Sequence, residues 1–232
     1  MSGGPAFDTG HGYALRVPDA WYEIDLRPAT RDASAADLVR ARMADAPELR
    51  ERRADVVRLL RRQAAAAWDS GAVFCAVMAE PVADGLLPAS VTVSFVRGPL
   101  DASSDAEDRV APLLAPLAVK RPKKEGDPWT EVTTVDLPEA GGLAARSYGV
   151  EDVHDPAGGP GSPAIRVATM QTYVPVPGVN RVAIVSCSSP AIEVARGLHD
   201  VFDAITSTFA LFEAGKLIRA APDGAAEEGE DA

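Results

Sequence analysis

Three histidines and two cysteines are the only imidazoles and thiols this chain has: His11, His154, His199, Cys75 and Cys187. A cysteine nucleophile needs a base to make its thiolate, so Cys187 with His199 is the pair to weigh. Both cysteines sit inside apolar runs, where a free thiol behaves as a small hydrophobe. The expectation for Cys187 is therefore inert core. The run Glu151-Asp152-Val153-His154-Asp155 gathers oxygen and imidazole ligands, but it lacks the paired spacing of a structural zinc site and reads as a solvated turn. Gly158-Gly159-Pro160-Gly161-Ser162 has the glycines of a phosphate cradle without the lysine or the following helix, and reads as a surface linker. The sequence shows no dinucleotide fingerprint, phosphate loop, nucleophile elbow or His-Glu-x-x-His zinc motif. It points to no catalytic residue, no cofactor and no metal.

What remains is charge. The chain carries a net charge of −11 yet places Arg50, Arg52, Arg53, Arg58, Arg61 and Arg62 close together. Arginines on an exposed helix face often only pair with local carboxylates, as Asp55 would with Arg58 and Arg62. The sharper reading is a docking surface for an acidic protein partner, or for the chain's own acidic stretch Glu227–Asp231, with Arg52, Arg58, Arg61 and Arg62 as the contact residues. The overall negative charge argues against a nucleic-acid binder that neutralises phosphates, and against adhesion to an anionic membrane. Apolar runs too short to span a bilayer, and a start Met1-Ser2-Gly3-Gly4-Pro5 without an apolar leader, give the cytoplasm as the expected location.

Several elements must position these residues. Tyr13–Val17 and Trp21–Leu26 alternate apolar with polar across Pro18-Asp19, which predicts an N-terminal β-hairpin. Helical spacing follows from Ser34, with Ser34 or Asp32 as cap and Leu38, Val39 and Met43 as its apolar side. A second helix begins at Pro47 and carries the stripe Leu49, Val56, Val57, Leu60, Ala64 and Ala67 to Gly71. Strands are predicted over 71–78 and 90–96. A short helix opens at the Ser104/Glu107 capping box and runs toward Leu117, with Pro112 inside it. Four further strands are Thr130–Leu137, Leu143–Val150, Ala164–Val174 and Arg181–Ser188. A last helix starts at Ser189-Pro190 and buries Val194, Leu198, Val201, Phe202, Ile205 and Phe209. Trp21 and Trp68 read as core or half-buried packing residues, and Trp129 as partly exposed.

Pro18-x-x-Trp21 between two strands, with Phe202-x-x-Ile205-x-x-Thr208-Phe209 on the last helix, resembles the PsbP-like fold. That likeness covers 13–209 in order of elements. It implies a binding fold used mostly without catalysis, shared by photosystem extrinsic subunits, bacterial lipoproteins, a nuclear GTPase-binding protein and chaperones of secretion effectors. The chain is expected to differ in its arginine-rich helical insertion and in lacking a lipoprotein signal. The expected class is α+β, an antiparallel β-sheet layered with helices, with a long helical insertion after the hairpin. Residues 1–12 are expected to be a flexible N-terminus, 13–213 a single domain with a candidate subdomain boundary at 120–128, and 214–232 an acidic disordered tail. The functional expectation is a noncatalytic protein-binding module, an adaptor or chaperone for a secreted or membrane-associated partner. The alternative is a small-molecule binder, or an enzyme with a scattered site.

Overall fold

Valine, threonine and isoleucine runs make extended backbone the favoured state over much of this chain, and strands dominate the computed structural model. It describes residues 2–3, 11–45, 53–82, 85–98, 106–122, 124, 126–154 and 164–218. In chain order the elements are β1 (Ser2–Gly3), β2 (His11–Leu15), β3 (Trp21–Glu23), α1 (Arg31–Asp45), α2 (Arg53–Asp69), β4 (Ala72–Val82), β5 (Gly85–Arg97) and α3 (Ala106–Leu114). They continue with β6 (Trp129–Leu137), β7 (Gly142–His154), β8 (Ala164–Val176), β9 (Arg181–Ser189), α4 (Ala195–Thr206), β10 (Ala210–Glu213) and β11 (Lys216–Leu217). The class is α+β, as the sequence predicts. A seven-stranded antiparallel sheet runs in the order β3-β4-β5-β9-β8-β7-β6, and a four-stranded sheet in the order β1-β2-β10-β11.

Registers assign every side chain to a face. One row across the large sheet reads Phe74, Val93, Val185, Thr172, Arg146, and the next Ala76, Val91, Cys187, Met170, Tyr148. This is the core face. It forms one apolar cluster with Leu198, Phe202 and Ile205 of α4, Phe209 beyond it, and Tyr13, Leu15 and Leu211 of the small sheet. The opposite face is divided. At one end α1 and α2 cover Ala72, Cys75 and Val77 of β4. At the other, Val110 and Leu113 of α3 cover Ala145 and Val182. Between them lies a polar strip, Thr92–Ser186–Gln171–Ser147, made of residues paired across four neighbouring strands and half-buried. An antiparallel sheet tolerates such a wet face because only one side must supply the core.

The two N-terminal strands exist, but the predicted hairpin does not. β2 pairs with β1 and β10, while β3 joins the edge of the large sheet against β4. A turn does close between them, with the Trp21 N–H donating to the Pro18 carbonyl at 2.9 Å. Alternation fixes faces and leaves the partner open. Beyond β2 the chain is held by Thr208, whose Oγ1 accepts from the Arg16 N–H at 2.9 Å and donates to the Arg16 carbonyl. Tyr13, Leu15 and Trp21 still reach the same core.

Other expectations also shift. α1 starts at Arg31 rather than Ser34. Ser189 ends β9 instead of capping a helix, its hydroxyl donating to the Pro88 carbonyl at 2.6 Å and accepting from the Ala191 N–H. A 3-10 turn, Ile192–Val194, intervenes before α4. Val194 and Val201 fall on the solvent side, 49% and 36% exposed, as does Trp68 at 43%. Pro112 is accommodated inside α3. Residues 120–128 do not separate two cores: α3 precedes them in the chain and packs on strands that follow, while Lys120 bridges back to Thr130. Ser2–Gly3, His11 and Gly12 are strand residues within the stretch read as a flexible N-terminus, and β11 pairs with β10 inside the stretch read as tail. Pro47, Leu49, Ser104, Asp155, the glycine-rich run and 219–232 lie outside the described residues.

Phe202 is fully buried at the centre of the main cluster. Phe202→Ala is expected to destabilise the fold by about 3–5 kcal/mol, as truncation of a buried aromatic does. Urea denaturation checks it; a change below about 1 kcal/mol would mean that α4 is not packed as described.

Candidate functional site

The arginines sit on the helical arm. α2 contains Ala64, Ala65, Ala66 and Ala67, the strongest helix formers. Ala64 and Ala35 of α1 are wholly buried, and residues this small let helices and sheet approach closely. Val39, Leu60 and Ala67 complete the seal over β4. With these residues turned toward the sheet, the outer surface of the two helices is left as an open groove of about 810 Å³. Its floor is apolar, with Ala36, Ala54, Val57 and Ala65, and its rim carries Arg31, Arg53, Arg58, Arg61 and Arg62 with one acid, Asp32.

The structure thus brings three of the four predicted contact residues, Arg58, Arg61 and Arg62, to one groove; Arg52 lies outside the described residues. Arg58 donates to Asp55 at 3.2 Å, an exposed i,i+3 pair. Such a pair contributes less than about 1 kcal/mol, so a ligand carboxylate can replace it at little cost. Arg61 is different. Its Nη2 donates to the Asp32 carbonyl at 3.0 Å, and its Nε lies 3.7 Å from the Asp32 carboxylate, which ties α2 to the start of α1. Arg53 and Arg62 are exposed and have no ion pair among the described residues. Arg53, near the apolar stripe by sequence, proves to be a groove residue.

The other candidates fall elsewhere. Cys75 and Cys187 are buried on strands, and burial pushes each thiol up to about 12. His199 does not meet Cys187 in any described hydrogen bond. Its Nε2 donates to the Gly149 carbonyl at 3.2 Å, and its ring stands edge-on to Trp129, Tyr148 and Phe202. Glu151, Asp152 and Val153, read as turn, belong to β7. Glu151 accepts from the Thr130 hydroxyl, and Asp152 holds Arg166 through both carboxylate oxygens at 2.7 and 3.1 Å. Among the described residues no three of His, Cys, Asp and Glu are grouped to hold a metal.

One aromatic feature escaped the sequence reading. Half-buried Trp129 stands between two open clefts of about 580 and 490 Å³, the first bordered by Lys124 and Arg166, the second by Lys120 and Arg121. Gly149 lets the Trp129–Thr130 backbone lie this close to β7, because a Cβ there would collide with the Trp129 carbonyl oxygen. Arg146 was equally hidden. It is buried on the core face, donating to Thr172 at 3.0 Å and to Asp203 of α4. Only the register that places Arg146 beside Thr172 reveals it.

No protein-family model matches this chain, and no curated protein matches it. Among solved structures it is similar to LpqN of Mycobacterium tuberculosis, described as involved in cell envelope biogenesis. The TM-score is 0.43 at 13% sequence identity, over 89% of this chain and 87% of that one. No helix among the described residues is long and apolar enough to cross a membrane.

Burial holds the pKa of His199 below its ordinary value. The unfolded chain therefore takes up this proton first as pH falls. The stability owed to the neutral ring is complete above the ordinary value of about 6.5 and is lost as the pH falls from there through the folded-state value. His199→Phe is expected to flatten the dependence of the denaturation midpoint on pH between about 7 and 5. Urea titrations of both proteins across that range check it, and parallel slopes would contradict it.

Proposed function

We propose that this chain is a noncatalytic protein-binding module, an adaptor or chaperone working in the cytoplasm on a secreted or membrane-associated partner, and that the α1–α2 groove grips an acidic segment of that partner. One observation carries the reading: a chain of net charge −11 concentrates five guanidinium groups around an apolar floor, with a single carboxylate among the lining residues. Guanidinium forks match carboxylates bidentately, and alanine and valine between them accept small apolar side chains. An amphipathic segment that alternates acidic and apolar residues has the complementary chemistry. The chain's likeness to PsbP-like proteins in the order of its elements supports the same reading. A small-molecule binder or enzyme is the second reading, favoured by the cleft beside Trp129.

The test uses a fluorescent synthetic peptide alternating Glu with Leu. Fluorescence anisotropy is expected to show binding that weakens as salt rises, because the contacts are exposed and screened. Replacing Arg53, Arg58 and Arg62 together by Glu should weaken binding at least about tenfold, equivalent to about 1.4 kcal/mol. The thermal melt should stay in place, since Arg61 is left to tie the helices. A triple variant that binds the peptide equally well sinks the reading, as does binding indifferent to salt.

A further inference from the structure

The two edges of the large sheet are managed differently. One ends in β3, only three residues long, which leaves little backbone to offer. The other ends in β6, nine residues long, with five β-branched side chains in Thr130, Val132, Thr133, Thr134 and Val135. β6 pairs with β7 in unbroken register from Trp129 to Leu137, without a bulge, and contains neither proline nor lysine. These are the devices that normally blunt an exposed edge.

The direction of its free groups is fixed. The Thr130 N–H donates to the Lys120 carbonyl at 2.8 Å, and the Lys120 N–H to the Thr130 carbonyl at 2.9 Å, so Thr130 turns its backbone outward. By strand alternation Val132, Thr134 and Asp136 do the same. Among the described residues their outward backbone groups make only one hydrogen bond, the Thr134 carbonyl accepting from the Thr133 hydroxyl at 3.3 Å. Charge is distributed along this edge with a polarity. Lys120 and Arg121 stand exposed at one end, and Asp136 and Glu139 stand exposed at the other, none of the four in an ion pair among the described residues.

We propose that β6 is a dimer interface at which a second copy of this chain pairs antiparallel along the open edge, joining the two large sheets into one. An axis through Thr134 sets the second copy's Thr134 opposite it and the second copy's Asp136 opposite Val132. About six backbone hydrogen bonds then form between outward-facing residues. The run ends where the second copy's Pro138, which has no N–H, comes level with Thr130, the position the Lys120 bridge already fills. That register brings Lys120 and Arg121 of each copy to the Asp136–Glu139 end of the other, twice by symmetry. A parallel pairing would set like charges together, so the charge polarity selects a second, inverted copy as the occupant.

Sedimentation equilibrium of the full chain is expected to show a concentration-dependent monomer–dimer equilibrium. Thr134→Pro removes an outward N–H and no bond to β7, so it should raise the dimer dissociation constant at least about tenfold while the thermal melt holds. Lys120→Glu with Arg121→Glu should weaken the dimer, and adding Asp136→Lys with Glu139→Lys should restore it. That rescue decides the matter even if the proline variant folds poorly. A chain that stays monomeric at every concentration overturns the proposal. So does a dimer that survives Thr134→Pro in a folded protein, or one that the charge exchange fails to restore.

Discussion

The contact on which the rest of the molecule depends is the seating of α4 on the core face of the large sheet. Leu198, Phe202 and Ile205 share one cluster with Val91 and Val93 of β5, Val185 of β9 and Met170 and Val174 of β8. Phe209, Leu211, Tyr13 and Leu15 extend that layer, so the small sheet is anchored through the same side chains. Removing apolar surface from water on this scale is the dominant favourable term in folding. The hydrogen-bonded ladders then follow, because a strand buried on one face must pair its backbone.

Inside that layer Arg146 is a costly exception. A guanidinium is expensive to bury, and an ion pair returns the cost only when its geometry satisfies it well. Here Thr172 and Asp203 take two of its nitrogens, while Nη2 has no partner in the described structure. The pair ties α4 to β7, because Asp203 lies on the helix and Arg146 on the strand. His199, one turn earlier, adds a second polar constraint through the Gly149 carbonyl. Helix and sheet are thereby locked by two directional contacts within an otherwise non-directional interface.

Much of this was legible in the residues. Strands are legible at Thr130–Leu137, Leu143–Val150, Ala164–Val174 and Arg181–Ser188 through apolar alternation punctuated by Gly141-Gly142 and Pro177-Gly178, while the extension of β7 through Glu151–His154, whose polar residues read as a turn, is not. Gly141 and Gly178 do adopt positive φ. Partners were not legible, because period-two alternation says which face a residue takes and nothing of which strand lies beside it. Hence Tyr13 and Trp21 joined different sheets. Val201 is exposed because helical spacing marks a wide arc, of which only the contact with the sheet selects the buried part, and Val194 because it lies in the 3-10 turn before α4. The arginine face was visible as composition. That Arg53 belongs to it, and that Arg61 is partly consumed by Asp32, required the two helices to be set side by side.

The helical arm rests on a small core of its own. Ile24, Leu26, Ala35, Val39, Leu60 and Ala64 form a cluster separate from the main one, and the two are joined through β4, which turns Cys75 and Val77 to the arm and Phe74 and Ala76 to the centre. A unit bounded in this way has its own opening free energy. Lifting α1 and α2 would expose Ile24, Leu26 and one face of β4 and leave the α4 layer closed, which is the condition for the arm to exchange its amide hydrogens by a local route rather than by global unfolding. A ligand held across both helices stabilises only the closed arm, by mass action. Occupancy would then be written into the exchange rates of some thirty backbone amides, and the remainder of the protein would keep the rates it had before.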